Sequence, residues 1–299
     1  MSVSYTHLRA HETRHDLVCR LLLEKGDLVL TTPNSFLATS NSILYVGAKP
    51  IFVDIKEDGN IDLDKCIEIL EKNKNIKALY AVHFSGNPVE MEKLKYIREK
   101  FDIKILEDSA HAIGATYQEE KIGNCKFSDI ATFSFHPVKH ITTGEGGAIL
   151  TNDEEIYKKA KILRNHGMVK ENFINKDLAY DKKGNLNPWY YEMQTLGFNY
   201  RITDIQCALG LSQLKKLDDF IAKRHQIAKK YDKAFENSII KPLYPFNENS
   251  AYHLYVVRVN FNKLNITKAE LFYKMKEAGI FLQLHYIPCL LYTSPSPRD

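Results

Sequence analysis

Cysteine is scarce, with five residues in 299 and no CxxC spacing among them. That excludes a disulfide framework and points to reduced thiols in the cytosol. Long apolar runs are absent as well; none approaches 18 residues, so no membrane-spanning helix is expected. An excess of one charge is also missing. Lysine and arginine number 41 against 37 aspartates and glutamates, a net +4, and the charges are interspersed rather than blocked. No basic stripe suits a nucleic acid and no charged face suits a membrane surface, whereas an anionic small molecule stays compatible. There is no internal repeat and no low-complexity tract. What is present, 44% hydrophobic and 11% aromatic residues, suffices for one large or two medium domains with a sizeable core.

The two ends lack the hydrophobic periodicity of the interior. Residues 289–299 (CLLYTSPSPRD) back-translate to a nucleotide string that, read from its second base, encodes VSYTHLRAHE, residues 3–12, and then a codon start fitting Thr13. One string in two frames resembles a transposon-type sequencing adapter, and residues 16–25 look like its continuation. The expectation is that 1–25 and 289–299 are adapter-derived, and that the native product spans about Gly26 to Pro288 with sequence missing at both ends. A basic targeting helix over 1–25 is the alternative, and its acidic residues and three histidines speak against it.

From Gly26 the patterns alternate. The strand-like LVLTT precedes a helix near 36–46, PIFVDI a helix near 63–72, and IKALYAVHF a helix near 90–100. Strands IKILE, DIATFSF and GAILT follow, then a helix near 154–164. Mostly apolar strands alternating with helices predict an α/β domain whose largely parallel sheet is covered on both faces. Ligands collect at the carboxyl ends of such strands. Residues 170–190, rich in Asn, Asp and Lys, read as an exposed loop able to reach a partner subunit. Thr203 with Gln206 predicts a capping box that opens a long amphipathic helix to about Lys230. That helix leads to a second domain in which AYHLYVVRV reads as a strand and Thr267 with Glu270 caps another helix. The expected division is a large domain over 26–210 and a small one over 211–288.

The most informative stretch is TFSFHPVKHITTGEGG, residues 132–147: a strand, then a loop presenting Lys139 with glycines close behind. Glycines allow tight turns and close backbone approach to a bulky ligand. A lysine there can bond covalently to a carbonyl once burial or a neighbouring cation lowers its pKa; most loop lysines, however, are simply solvated. Asp108 follows the strand IKILE in ILEDSAHAIGA, at a carboxyl end. A carboxylate there can hold a pyridinium nitrogen; by spacing alone a helix N-cap is the commoner role.

These residues resemble the sugar-nucleotide aminotransferases of the DegT/DnrJ/EryC1/StrS group, pyridoxal-phosphate enzymes of fold type I, the aspartate-aminotransferase-like fold. The resemblance spans Gly26 to Pro288. It is carried by GDLVLTTPNSFLATSNSILYVGAKPIFVDI, ILEDSAHAIGA, FSFHPVKHITTGEGGAILTN, RNHGM, GFNYRITDIQCALGLSQL and QLHYIP. FHPVKHITTGEGG and GFNYRITDIQ look closest to the branch serving the pseudaminic acid pathway, which acts on UDP-4-keto-6-deoxy-N-acetyl-L-altrosamine.

The resemblance implies pyridoxal 5'-phosphate as cofactor, with Lys139 bonded to it and later moving the proton, and Asp108 on the ring nitrogen. It places His111 near the phenolic oxygen, Phe36 on the ring face and Ser134 on the phosphate. Asn199 of GFNYR would reach the phosphate of a neighbouring subunit, making a homodimer with shared active sites. His285 of LHYIP would lie near the sugar. Each has a plainer alternative: a satisfied half-buried His111, a core Phe36, a backbone-bonded Ser134, a turn Asn199. No metal ligands are implied. The family's Gly/Ser-Thr-Ala-Leu helix start, part of the phosphate cup, is replaced here by SYTHLRAHET.

The function implied is cytosolic transamination of a nucleotide-linked 4-keto-6-deoxy sugar to the 4-amino sugar, with glutamate as donor. Alternatives are a dehydratase of the same fold, which carries His where Lys139 stands, a non-enzymatic ligand sensor, and an inactive fragment of the aminotransferase.

Overall fold

The computed structural model describes residues 4–8 and 15–289, with side chains from residue 17 onward. Strand β1 (Ser4–Leu8) and helix α1 (His15–Leu22) come first. Then β2 (Leu28–Thr31), α2 (Leu37–Tyr45), β3 (Lys49–Phe52), α3 (Leu63–Lys72) and β4 (Ile76–Val82) alternate, followed by α4 (Met91–Phe101) and β5 (Lys104–Asp108). A hairpin of β6 (Thr116–Tyr117) and β7 (Glu120–Lys121) precedes β8 (Ile130–Ser134), β9 (Gly147–Thr151) and α5 (Glu154–Leu163). Asp62 and Asp153 accept the first-turn amides of α3 and α5, which is why those helices start where they do.

Seven strands form one sheet in the order β1-β9-β8-β5-β4-β2-β3. From β3 to β8 every pairing is parallel; β8 with β9 and β9 with β1 are antiparallel. Alternate side chains feed two cores. Leu30, Leu79 and Ile105 face α3 and α4 through Leu63, Leu70, Leu94 and Ile97. Val29, Ala78, Tyr80 and Leu106 face α1, α2 and α5 through Leu17, Ile43, Ile156 and Leu163. The sheet is therefore covered on both faces, as the apolar strands predict.

The ends differ from expectation in one respect. Leu17, Val18 and Leu21 form an apolar helical stripe, fully or almost fully buried in the second core, so the periodicity expected to be missing is present in α1. β1 pairs through backbone groups on the edge of β9, which accepts any extended segment regardless of side chains. Residues 1–3, 9–14 and 290–299 of the adapter-like ends lie outside the described residues.

After α5 the chain forms a small ribbon of β10 (Met168–Val169) and β11 (Glu192–Met193), with a single turn α6 (Lys176–Ala179) in the expected loop. The expected long helix is two, α7 (Asp204–Leu214) and α8 (Leu217–Phe235). The capping box of Thr203 and Gln206 forms as predicted, but Lys216, at φ −105 and ψ 1, leaves the helical region and breaks the run. The AYHLYVVRV strand is also shorter than expected. Only β13 (Val257–Val259) pairs, with β12 (Ile240–Pro242). Its first part instead bonds the large sheet's loops, Ala251 N to Gly86 O at 3.0 Å and Leu254 N to Ser85 O at 3.2 Å. Helices α9 (Phe261–Leu264) and α10 (Lys268–Glu277) follow, α10 with the expected Thr267–Glu270 capping box.

Candidate active site

Because β2, β4, β5 and β8 run parallel, their carboxyl ends share one edge of the sheet. Asp108 is the last residue of β5 and Ser134 the last of β8. Phe36 stands at the start of α2, five residues past the end of β2. Lys139 follows Ser134 by five residues, in a turn closed by its own amide donating to His136 O at 2.9 Å. Together with His111 and His285 these residues line a cavity of about 230 Å³.

The electrostatics of the cavity favour a reactive amine. Burial pushes the Lys139 ammonium down to about 8, against an opposing pull from the Asp108 carboxylate. Asp108 is fixed at both oxygens: Oδ2 accepts from Thr39 Oγ1 at 2.6 Å and Oδ1 from the Ala110 amide at 3.1 Å. The second bond is the local turn contact that its spacing allows, and Asp108 is among the residues lining the cavity.

Three histidines crowd the same place. The His111 and His253 rings lie 4.3 Å apart and those of His140 and His253 5.4 Å. Burial and the neighbouring Lys139 hold His111 well below the usual imidazole range. His140 is lowered to about 3, first by burial and then by Arg224. Its Nε2 donates to Ala251 O at 2.9 Å, which leaves the Nδ1 lone pair buried without a partner. His111 Nδ1 is likewise buried and unpartnered, while its Nε2 lies 3.0 Å from the Tyr286 hydroxyl. Behind the cavity, buried Glu107 takes up both His83 Nε2 at 2.9 Å and the Ser128 hydroxyl.

Of the seven residues singled out in the sequence, the structure brings six to this cavity: Phe36, Asp108, His111, Ser134, Lys139 and His285. Phe36 is 46% exposed, so the core role that periodicity alone suggests for it does not hold. Ser134 Oγ accepts the His136 amide at a long 3.4 Å, leaving its O–H as a donor. Asn199 is not in the cavity; it is exposed and bridges to Asn165. Sequence reasoning missed Thr39, His253 and Tyr286. The motifs FLATSNS, AYHLY and LHYIP contain them, but nothing local in those strings singles them out.

The donor set fits pyridoxal phosphate. An aromatic ring, an oriented carboxylate, an amine of lowered basicity, a hydroxyl and an imidazole match a ring face, a ring nitrogen, an aldehyde, a phosphate and a phenolic oxygen respectively. Among the described residues no group of three His, Cys, Asp or Glu is placed to hold a metal ion. No described helix is long and apolar enough to cross a membrane.

The model of the DegT/DnrJ/EryC1/StrS aminotransferase family matches residues 16–299. The UDP-4-amino-4,6-dideoxy-N-acetyl-beta-L-altrosamine transaminase of Campylobacter jejuni serotype O:2 is 43% identical over 264 residues. That match covers 87% of this chain, and the chain spans 65% of the relative's length. Among solved structures, Helicobacter pylori PseC, an aminotransferase involved in the biosynthesis of pseudoaminic acid, superposes with a TM-score of 0.81 at 34% identity. It covers 94% of this chain, which covers 73% of it. The sugar aminotransferase Spr1654 of Streptococcus pneumoniae, described as putative and in its PMP form, gives 0.82 at 30% identity, with 97% and 76% covered. The expected α/β architecture of fold type I is the one found.

Proposed function

The chain belongs to the DegT/DnrJ/EryC1/StrS aminotransferase family, and we propose that its cavity holds pyridoxal 5'-phosphate and transfers an amino group to a nucleotide-linked 4-keto-6-deoxy sugar. The donor in this reading is glutamate, the product is the 4-amino sugar, and the setting is pseudaminic acid or a related surface glycan made in the cytoplasm. The relative and the solved neighbour named for that chemistry support the substrate class. The observation that carries the reading is the placement of Lys139, its amine lowered to about 8, in one cavity with Asp108, Ser134 and His111.

When bound, the cofactor supplies an electron sink for a carbanion. The chain's own residues do the rest. Asp108 would hold the ring nitrogen and its proton, Ser134 would offer its hydroxyl to the phosphate, and Phe36 would lie against the ring. His111 would stand on the side of the phenolic oxygen. Lys139 Nζ, once deprotonated, would be the base that takes up the donor's α-proton and the group that holds a proton for the acceptor. The neutral state of the three histidines adds no positive charge to oppose the Lys139 ammonium further.

A homodimer with shared sites belongs to the same proposal. Trp189, Met193, Leu196 and Ile205 are between 65% and 85% exposed on the segment that carries Asn199. A second copy seated on that apolar segment would bury it and deliver Asn199 to the neighbouring phosphate. The test is titration of the chain with pyridoxal phosphate, followed by glutamate and a 4-keto sugar nucleotide. A visible band on binding, bleached by glutamate and abolished in Lys139→Ala, is expected. A wild-type chain that shows no band at millimolar cofactor overturns the proposal, and a monomer by sedimentation overturns its dimer part.

A further inference from the structure

Asp108 does not orient itself. Besides the local Ala110 amide, its carboxylate is met by Thr39, fully buried and 69 residues away in sequence, whose hydroxyl donates to Oδ2 at 2.6 Å. A threonine within a helix ordinarily spends its hydroxyl on a carbonyl one turn back. Thr39, the third residue of α2, directs it out of the helix and onto the sheet instead. The reason lies at the end of α2. Its first turn has no acidic residue, and Phe36 makes no side-chain cap. The β5 carboxylate supplies the negative charge that the positive end of this helix lacks, and the Thr39 hydroxyl is the direct contact. The Thr39 carbonyl is itself held by Ser42 Oγ at 2.7 Å, so side chain and backbone are both fixed.

We propose that Thr39 is a positioning residue for the transamination chemistry, giving the Asp108 carboxylate the one orientation in which it meets the cofactor's ring nitrogen. This rests on the reading of the cavity as a pyridoxal-phosphate site. A hydroxyl hydrogen bond to a carboxylate is strong and directional, and at 2.6 Å this one fixes where Oδ2 lies. Thr39→Val keeps the shape and removes the donor. Thr39→Ser keeps the donor and removes the methyl.

The experiment measures three things on the full chain: the cofactor dissociation constant, the pH midpoint of the bound cofactor's visible band, and kcat with KM for glutamate. In Thr39→Val the dissociation constant and kcat should each worsen by about tenfold or more, with KM changing less than about threefold. The band midpoint should rise by about half a pH unit or more, because a ring nitrogen held less firmly as a cation no longer disfavours a proton at the Lys139 nitrogen. Thr39→Ser should restore all three to within about threefold or a few tenths of a unit. If Thr39→Val does not fold, Thr39→Ser against Thr39→Ala makes the same comparison. Equal loss in the valine and serine variants, or an unchanged midpoint in the valine variant, overturns this inference while leaving the cofactor site standing. A wild-type chain that gives no band overturns the site and the inference together.

Discussion

The lowered Lys139 pKa has a consequence that needs no substrate. An ordinary lysine near 10.5 is unprotonated at pH 7 in about 0.03% of molecules, whereas one at about 8 is unprotonated in about 9%, roughly 300-fold more. Lower basicity gives back part of that advantage in nucleophilicity, leaving a net gain of about tenfold or more over an exposed lysine. The assay is brief labelling of the ligand-free chain with a limiting amine reagent across a pH series, read peptide by peptide by mass spectrometry, with exposed Lys182 as the internal standard. Lys139 should reach half its limiting rate near pH 8 and outrun Lys182 at pH 7. Asp108→Asn adds a sign. The carboxylate is the group that raises the Lys139 pKa, so its removal should move the midpoint below 8. A Lys139 profile that tracks Lys182, or a midpoint that rises in Asp108→Asn, refutes the argument that burial sets this amine.

Gly86 has φ +96, and a Cβ there would meet His111 O at 2.7 Å and the Tyr252 and His253 amides at 3.0 and 3.1 Å. Gly86→Ala should therefore cost about 2 kcal/mol or more of stability by thermal or urea unfolding and loosen the 251–254 segment from the cavity; a change within about 0.5 kcal/mol would show that the seam relaxes freely. Acid should destabilise the fold early. His111, His140 and His253 all titrate below the unfolded value of 6.5, so below that pH the unfolded chain binds more protons and stability falls as pH drops. With three such groups the slope reaches at most about 4 kcal/mol per pH unit, and urea midpoints that stay flat between pH 7 and 5 would contradict the buried cluster.

The legible part of this protein lay in short-range pattern. The apolar strands and the helices between them are visible because burial on two faces writes itself into consecutive residues, and α3 falls over the predicted 63–72. The end of the predicted single helix was less visible, because Lys215 and Lys216 carry no breaker signal and only the packing around Leu217 decides where α8 begins. The extent of the AYHLYVVRV strand failed for a related reason: alternation allows a strand, but Ala251 and Leu254 find better partners on the Ser85–Gly86 loop.

By itself, then, the sequence determined the α/β alternation, the lysine loop after one strand and the carboxylate at the end of another, since strand ends and glycine-rich turns are local features. Only the tertiary structure decided that Lys139, Asp108 and His111 share one cavity with Ser134, that Asn199 stands apart from it, and that Thr39, His253 and Tyr286 belong beside it. The reason is physical. Periodicity reports that a side chain is buried, not what it is buried against. A hydrogen bond such as Thr39 to Asp108, or Tyr286 to His111, joins residues 69 or 175 positions apart and leaves no mark on the pattern near either one.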